Sequence, residues 1–365
     1  MLAARSRNMA RASADLAGGD DLAGRVLAGD KRAIAQAITK VESGELPGRD
    51  LLAKLYPFTG QAHVIGVTGS PGTGKSTLVA AMAQVYRSRG AKVGIVAVDP
   101  TSPFSGGAIL GDRIRMRDLA GDPGVFIRSM ASRGHLGGVA EATSDVVRVL
   151  DAAGCGVIIV ETVGVGQSEV DIVRMAHTVV VVEAPGLGDD VQALKAGLME
   201  VADILVVNKS DLPGADALVS TLQAATALAA GQARYAGHHQ LEAAATTQPM
   251  DGSPGRRAVA EDSAESWRIP VKEAAALHRQ GIEELVAAID AHRRYLQASD
   301  LWRRRERSRV ESDLATFVRQ ALFRRLMERL AAGEWEDLIE AVVNRQLDPH
   351  TAAEQVVEQQ FGASE

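Results

Sequence analysis

The chain of 365 residues has little of several features that would place it in a specialised class. Its single cysteine, Cys155, excludes an internal disulfide and a multi-thiolate metal site and favours a reducing compartment, so we expect a cytoplasmic protein. No run of about eighteen apolar residues occurs, so we expect no membrane-spanning segment. Basic residues number 40 against 46 acidic ones, a net charge of -6, which implies no general affinity for nucleic acid or an anionic membrane.

Aromatic residues make up only 4% of the chain, so aliphatic side chains must fill most of the core. Hydrophobic residues reach 46%, and from residue 62 onward they form short β-branched runs, each followed by a loop and a helical stretch. These runs lie at residues 64–68, 93–98, 157–160, 179–182 and 204–207. Near-continuous apolar strands that alternate with helices predict an α/β fold with a mostly parallel sheet covered on both faces. Such sheets bind ligands beyond the carboxyl ends of their strands.

The segments on either side of this pattern are helical. We expect an N-terminal helical extension at residues 1–60, an α/β domain at 61–296 with a last strand at 269–274, and a C-terminal helical arm at 297–365. Residues 248–266 are rich in Gly, Pro and Ser and predict a flexible surface insertion. The arm needs a partner surface, because one stripe of it is apolar: Val310, Leu314, Phe317, Val318, Leu322, Leu326 and Leu330.

A phosphate-binding loop follows the first strand. Residues 69–76 match the pattern G-x-x-x-x-G-K-[ST] and open a helix near Lys75, which predicts a P-loop NTPase. Main-chain N–H groups would surround the phosphates, Lys75 would reach the β- and γ-phosphates, and the Ser76 hydroxyl would bind Mg²⁺. The alternative is a glycine-rich turn with an incidental lysine. The predicted nucleotide contacts are Gly69, Ser70, Pro71, Gly72, Thr73, Gly74, Lys75, Ser76 and Thr77.

The base is predicted from the N-K-x-D sequence at residues 208–211. The Asp211 carboxylate can accept two hydrogen bonds from guanine N1–H and the exocyclic amine, whereas adenine would leave it unpaired. Asn208 would hold the loop and the base, and the stem of Lys209 would lie against the ring. The alternative is a polar turn that ends a strand. Together with the phosphate loop, the pattern predicts a site for GTP or GDP.

Carboxylates for the metal are predicted at the ends of two further strands. Asp99 ends one strand, and Glu161 ends another with Gly164 three residues later. These carboxylates could hold Mg²⁺ and its waters, and the Gly164 N–H could meet the γ-phosphate. A helix cap or a turn is the alternative for Asp99. Asp112 is a further candidate for the metal site.

Five segments together resemble the MeaB and methylmalonic aciduria type A protein family: residues 64–75, 98–113, 132–138, 161–169 and 208–211. The resemblance extends from about residue 60 to the C-terminus. It implies a SIMIBI-like P-loop GTPase, slow alone and stimulated by its partner, that acts as a chaperone of adenosylcobalamin-dependent acyl-CoA mutases. Adenosylcobalamin would be met only through the mutase. The helical arm is similar to the family's dimerisation arm, which implies a homodimer.

The resemblance also assigns residues. It makes Lys75 and Ser76 ligands of phosphate and Mg²⁺, and it places Asp99, Asp112 and Glu161 around the metal. It marks residues 185–195 as a switch that senses the mutase and aids hydrolysis, through Asp189, Gln192 and Lys195. Spacing alone leaves Gln167 and Lys195 either near the γ-phosphate or in solvated loops. Where the family has Ser or Gly beside the guanine, this chain has Ala275 and Ala276, whose main-chain N–H groups could still serve the base.

Two other signals allow different functions. The pair His238 and His239 could bind nickel, as in a metallochaperone GTPase, or could lie on a helix surface or in a loop. An arginine cluster could contact nucleic acid or acyl-CoA phosphates, or could form a solvated helix face paired with Glu306, Glu311 and Asp313. Its members are Arg303, Arg304, Arg305, Arg307 and Arg309.

Overall fold

The computed structural model describes residues 22–43, 46–99, 119, 121–131, 138–162, 175–186, 201–231, 267–330 and 333–362. The chain divides into two compact units, Met1–Ser308 and Arg309–Glu365. The first unit contains the sheet and the second is helical.

Seven parallel strands form one sheet in the order β3-β2-β4-β1-β5-β6-β7. The strands are β1 (His63–Thr68), β2 (Val93–Asp99), β3 (Val125–Ala131), β4 (Val157–Thr162), β5 (Thr178–Glu183), β6 (Ile204–Asn208) and β7 (Val271–Ala274). The prediction of a parallel sheet is confirmed. β1 lies centrally, between β4 and β5, and the strand order reverses beside it, so its carboxyl end lies at a switch point that favours ligand binding.

The strand β3 was not among the predicted strands. It lies at the edge of the sheet, and its sequence VFIRSMA lacks the continuous apolar run of the inner strands. Its Arg128 forms an ion pair with Glu42 of a neighbouring helix, so a charged residue interrupts an otherwise mostly apolar strand for a structural reason. Charged residues are common on edge strands, because they hinder the pairing of the free main-chain edge with another chain.

Helices cover both faces of the sheet. They are α1 (Leu22–Leu27), α2 (Lys31–Glu42), α3 (Leu46–Leu55), α4 (Lys75–Ser88), α5 (Gly138–Ala152), α6 (Ala215–Gly231) and α7 (Ile282–Ala298), with α8 (Leu301–Arg329), α9 (Glu334–Val343) and α10 (Pro349–Phe361) following. Successive strand residues face opposite sides, so Ile65 packs towards α4 and α7 and Val64 towards α1–α3 and α5. This is a three-layer α/β arrangement. None of the helices in the described ranges is long and apolar enough to cross a membrane.

The N-terminal helices share a core with the sheet. Val26, Ile38 and Leu55 from α1, α2 and α3 are buried in the same hydrophobic cluster as Ile158 and Val160 of β4. α3 begins with Leu46-Pro47-Gly48, and proline is compatible with a first helical turn because its missing N–H would have no partner there. The helical extension is therefore part of the unit that holds the sheet.

A buried polar network lies at the amino ends of the strands, opposite the phosphate loop. We call it the amino-edge network; its members are His63, His177, Thr178, Asp203, His292, Trp302, Arg305 and Glu306. His63 Nε2 lies 2.8 Å from Thr178 Oγ1, which lies 2.9 Å from His292 Nδ1. His292 Nε2 then faces Asp203 Oδ1 at 3.4 Å. The network joins β1, β5 and α7 through hydrogen bonds.

The first turns of α8 complete the amino-edge network. The Arg305 guanidinium lies 3.2 Å from Asp203 Oδ1 and also donates to the carbonyl of His177. Trp302 stacks on the His177 ring with centroids 3.9 Å apart, and His177 Nε2 lies 3.0 Å from Glu306 Oε1. Arg305 is therefore buried, and the expectation that it lies on a solvated helix face is wrong.

Hydrogen bonding requires that His177 be neutral. The main-chain N–H of Val64 donates to His177 Nδ1, so the proton of a neutral His177 is on Nε2, where it is donated to Glu306. Burial lowers the pKa of His63 well below its ordinary value of 6.5, and His177, Arg293 and His292 add to this while Asp203 opposes it.

Acid is expected to destabilise the fold through His63. A histidine with a lowered folded-state pKa stabilises the fold above its unfolded pKa and loses that contribution as pH falls, because the unfolded chain binds the proton more readily. Below pH 6.5 we expect the unfolding free energy to fall by up to about 1.4 kcal/mol per pH unit more steeply than in the variant His63→Gln. Urea unfolding of both proteins at pH 7.5, 6.5 and 5.5 measures this difference. Equal slopes would contradict the prediction.

The second unit has a small core of its own. Leu326, Ala352 and Val356 are buried, and Phe323 meets the Trp335 ring edge-on with centroids 6.2 Å apart. Arg329 Nη1 donates to the carbonyl of Gln360 at 2.9 Å. The predicted apolar stripe of α8 is exposed for most of its length in this unit, since the following side chains are at least one third accessible: Val310, Leu314, Phe317, Val318 and Leu322.

Candidate functional site

The phosphate loop lies between β1 and α4, as predicted. Gly69, Gly72 and Gly74 have φ angles of 136°, 84° and 88°, which residues with a side chain rarely adopt. A Cβ atom at Gly69 would also overlap the carbonyl oxygen of Val182 in β5. The loop therefore needs glycine at its first position for both conformation and space. Its main chain curls at the N-terminus of α4, where the helix dipole favours an anion.

Lys75 lies inside the phosphate loop. Its ammonium Nζ donates to the carbonyl oxygens of Gly69 at 2.7 Å and Ser70 at 2.9 Å, and the residue is 6% exposed. Thr73 Oγ1 also donates to Ser70 O, at 2.9 Å. These bonds hold the positive charge of Lys75 within the loop. Phosphate oxygens bound there could accept hydrogen bonds from the ammonium.

Two of the predicted metal ligands are in contact. The Ser76 hydroxyl, in the first turn of α4, donates to Glu161 Oε1 at the end of β4 over 2.6 Å, and Glu161 is 1% exposed. Hydroxyl and carboxylate oxygens suit Mg²⁺, which takes few protein ligands and completes its shell with water and phosphate. The Ser76–Glu161 pair offers two oxygen atoms of the kind that Mg²⁺ binds, and its role as a metal site stays a prediction. The described ranges contain no group of three His, Cys, Asp or Glu residues that could hold a metal ion.

Asn208 connects the phosphate loop to the predicted base site. Its Nδ2 donates to the carbonyl of Thr73 at 2.8 Å, and its Oδ1 accepts the N–H of Ala276 at 3.1 Å. A Cβ atom at Gly74 would lie only 2.6 Å from this Nδ2, so the third glycine makes room for the asparagine. Asn208 therefore acts as a brace between three segments that are distant in sequence.

The loop after β6 turns sharply and places Asp211 at the outer edge. Lys209 adopts a left-handed φ of 57°, and the N–H of Ser210 donates to the carbonyl of Ala274 at 3.0 Å. Asp211 is exposed, and its Oδ2 lies 3.7 Å from His278 Nε2. The Asp211 carboxylate is therefore accessible, and its contact with guanine stays a prediction.

The main-chain N–H groups of Ala275 and Ala276, predicted to contact the base, form hydrogen bonds within the protein. The N–H of Ala275 donates to the carbonyl of Gln280 at 3.1 Å, and that of Ala276 donates to Asn208. Both residues are buried. Their observed contacts position Asn208 and the 3₁₀ turn Ala276–His278, and a direct contact with the base stays a prediction.

Other predicted site residues lie outside the described residues. They are Asp112, Gly164, Gln167, Asp189, Gln192 and Lys195, together with the possible nickel ligands His238 and His239. The main chain of Asp99 ends β2, where it pairs with Ala131, but its side chain is outside the description.

Sequence reasoning missed some polar residues near the site. Glu183 ends β5 and is buried, and Thr162 Oγ1 donates to Thr68 Oγ1 at 3.1 Å across the ends of β4 and β1. His278 beside Asp211 was also missed. A polar residue at the end of an apolar strand identified Asp99 and Glu161, and the same signal, applied to TVVVVE, could have found Glu183.

The chain is similar to a family of known GTPases. The sequence model of the family described as methylmalonyl Co-A mutase-associated GTPase MeaB matches residues 34–331. A protein of Pyrococcus abyssi named as a GTPase is 46% identical over 343 residues, covering 94% of this chain and 97% of its own length. GTPase ArgK of Escherichia coli is 35% identical over 344 residues, covering 92% of this chain and 94% of its own length.

A shorter match and a solved structure point the same way. The mitochondrial methylmalonic aciduria type A homolog of Caenorhabditis elegans is 38% identical over 201 residues, covering 51% of this chain and 50% of its own length. A crystal structure described as LAO/AO transport system kinase has a TM-score of 0.62 and 28% identity, covering 94% of this chain and 97% of that one. The chain belongs to the MeaB family of methylmalonyl-CoA mutase-associated GTPases and has the P-loop GTPase fold with its GTP/GDP site.

Proposed function

We propose that this GTPase is a cytoplasmic chaperone that gates the loading of adenosylcobalamin into an acyl-CoA mutase, methylmalonyl-CoA mutase or a related one, and protects or reactivates it. The family match over residues 34–331 carries the proposal. The relative named for methylmalonic aciduria supports it. Adenosylcobalamin belongs to the mutase, so this chain would meet it only in the complex.

The described residues support the following roles. The Lys75 ammonium and the main-chain N–H groups of residues 69–76 would hold the β- and γ-phosphates. Ser76 and Glu161 would hold Mg²⁺, which when bound neutralises the charge of the phosphates. Asn208 would brace the base loop, and Asp211 would accept hydrogen bonds from guanine.

Glu161 would link the bound nucleotide to the chain segment that follows β4. A cation held by Ser76 and Glu161 would replace the hydrogen bond between them, so the end of β4 would differ between nucleotide states. The nucleotide can shift the protein from one conformation to another only if it binds one of the two conformations more tightly. We propose that Asp99, Asp112 and Gly164 take part in this switch, and that Gln192 and Lys195 of the loop 185–195 aid hydrolysis.

We propose a GTPase domain at residues 61–296 and a C-terminal arm at residues 297–365. The arm would pair with the arm of a second copy of the chain and so form a homodimer. Support comes from the apolar side chains that α8 exposes in the second unit. Leu314 is 60% exposed and Leu322 is 51% exposed. Burying such side chains is favourable by about 1.5–3 kcal/mol each when they become fully covered.

Stimulated hydrolysis tests the proposed function. We expect the rate of GTP hydrolysis to rise at least about tenfold when the apo-mutase encoded by the same organism is added, because partner contacts complete an otherwise slow site. Phosphate release is measured with the mutase and, as a control, with the variant Lys75→Ala, which should stay inactive. No change with any cobalamin-dependent mutase of the organism would defeat the proposal. Stimulation by an apo-nickel enzyme instead would favour metal delivery.

A further inference from the structure

The base loop is held against β7 by contacts of two kinds. Ser210 N–H to Ala274 O and Ala276 N–H to Asn208 Oδ1 fix the main chain and the buried asparagine. Neither bond reaches the Asp211 carboxylate, which stands beyond them at the loop's outer end. The carboxylate needs a separate restraint if it is to present both oxygens to a base in one orientation.

The side chain of His278 faces the Asp211 carboxylate. Its Nε2 lies 3.7 Å from Asp211 Oδ2, and the two side chains are 60% and 40% exposed. Across the described part of the chain, Asp211 forms no other hydrogen bond or ion pair. The 3₁₀ turn Ala276–His278 and the left-handed Arg279 that ends it, with a φ of 57°, bring the imidazole to this place.

We propose that His278 is a positioning residue for guanine recognition. Its side chain, in the turn after β7, orients the Asp211 carboxylate in the loop after β6. This inference rests on the proposed placement of guanine at Asp211. Alanines at positions 275 and 276 offer no hydroxyl to hold the carboxylate, and among the described residues the imidazole is the polar side chain that lies within ion-pair distance of it. An oriented carboxylate loses less side-chain entropy when the base binds, which is the benefit of preorganisation.

Binding of GDP and IDP tests this role. The hypoxanthine of IDP lacks the exocyclic amine, so it uses one Asp211 oxygen where guanine uses two and depends less on the orientation of the carboxylate. We expect His278→Ala to weaken GDP binding about two- to fivefold, the range of an exposed pair, and IDP binding less. The preference for GDP over IDP should therefore fall, and His278→Gln, which keeps an N–H donor at similar reach, should restore most of it. Calorimetric titration measures both affinities.

Two further variants separate this role from general damage to the loop. Gln280→Ala changes an exposed residue of the same turn and should leave both affinities unchanged. In an Asp211→Asn background, His278→Ala should have little further effect on the GDP preference, because the carboxylate it orients is gone. Equal losses for GDP and IDP, or no loss, in His278→Ala would overturn the inference while leaving the guanine site intact. Wild-type protein without a preference for GDP over ADP would instead contradict the proposed base site.

Discussion

Replacing Lys75 by alanine is expected to raise the dissociation constants for GDP and GTP by about 100-fold or more. The ammonium lies within the loop, between the carbonyls of Gly69 and Ser70, and is held where phosphate oxygens would bind. Hydrogen bonds to charged groups contribute about 1.5–3 kcal/mol each, and losing two of them corresponds to at least about a hundredfold change in affinity. Titration of a fluorescent GDP analogue measures the effect.

A second lysine provides the control for charge. Lys54→Ala removes an exposed lysine of α3 and changes the net charge equally, so nucleotide affinity should stay within about twofold of wild type. Circular dichroism should show that the Lys75 variant is folded, because the glycines and Asn208 still shape the loop. Nucleotide affinity in Lys75→Ala within a few fold of wild type would show that the loop is not the phosphate site.

Replacing Asp203 by alanine is expected to lower the free energy of unfolding by about 3–5 kcal/mol. Asp203 is 1% exposed; its Oδ2 accepts the N–H of Val179 at 2.9 Å, and its Oδ1 faces Arg305 and His292. Removing one member of a buried ion pair leaves the other charge desolvated, which costs more than the pair contributes. Since domains are stable by about 5–15 kcal/mol in total, the loss is a large fraction.

Two variants make the Asp203 prediction specific. Asp203→Asn keeps the shape and an acceptor for Val179, so it should lose less stability than alanine does. Asp50→Ala removes an exposed carboxylate of α3 and should change stability by no more than about 0.5 kcal/mol. Thermal or urea unfolding compares the three proteins. Equal stability of Asp203→Ala and Asp50→Ala would mean that the amino-edge network contributes little to the fold.

The inner strands could be predicted from sequence because each is a short run of buried apolar residues. β1, β4, β5 and β6 are buried along their whole length, so their sequences show no polar side. β3 escaped prediction because its edge position admits Arg128, whose partner is Glu42, 86 residues away. No local pattern predicts such a partner.

The phosphate site was accessible to sequence reasoning for a similar reason. Its strand, glycine loop and helix are contiguous, so hydrogen bonds such as Lys75 to Gly69 span only a few residues. Ser76 was predicted as a metal ligand from the phosphate-loop motif and Glu161 from its place at the end of a strand, and the structure adds that the two side chains are in direct contact. Glu183 ends an apolar strand and could have been found by the same signal as Glu161, whereas His278 stood out only once the loops were assembled.

The sequence by itself was enough to predict a P-loop, alternating strands and helices, and a carboxylate suited to guanine, because each of these features is encoded by neighbouring residues. Tertiary structure alone decided that Asn208 braces Thr73 and Ala276, residues 135 and 68 positions away, and that three histidines and Asp203 meet at the opposite end of the sheet. Sequence patterns report interactions within a turn or a strand. Contacts between distant segments depend on how the helices and strands pack, because only packing brings those side chains within hydrogen-bonding distance.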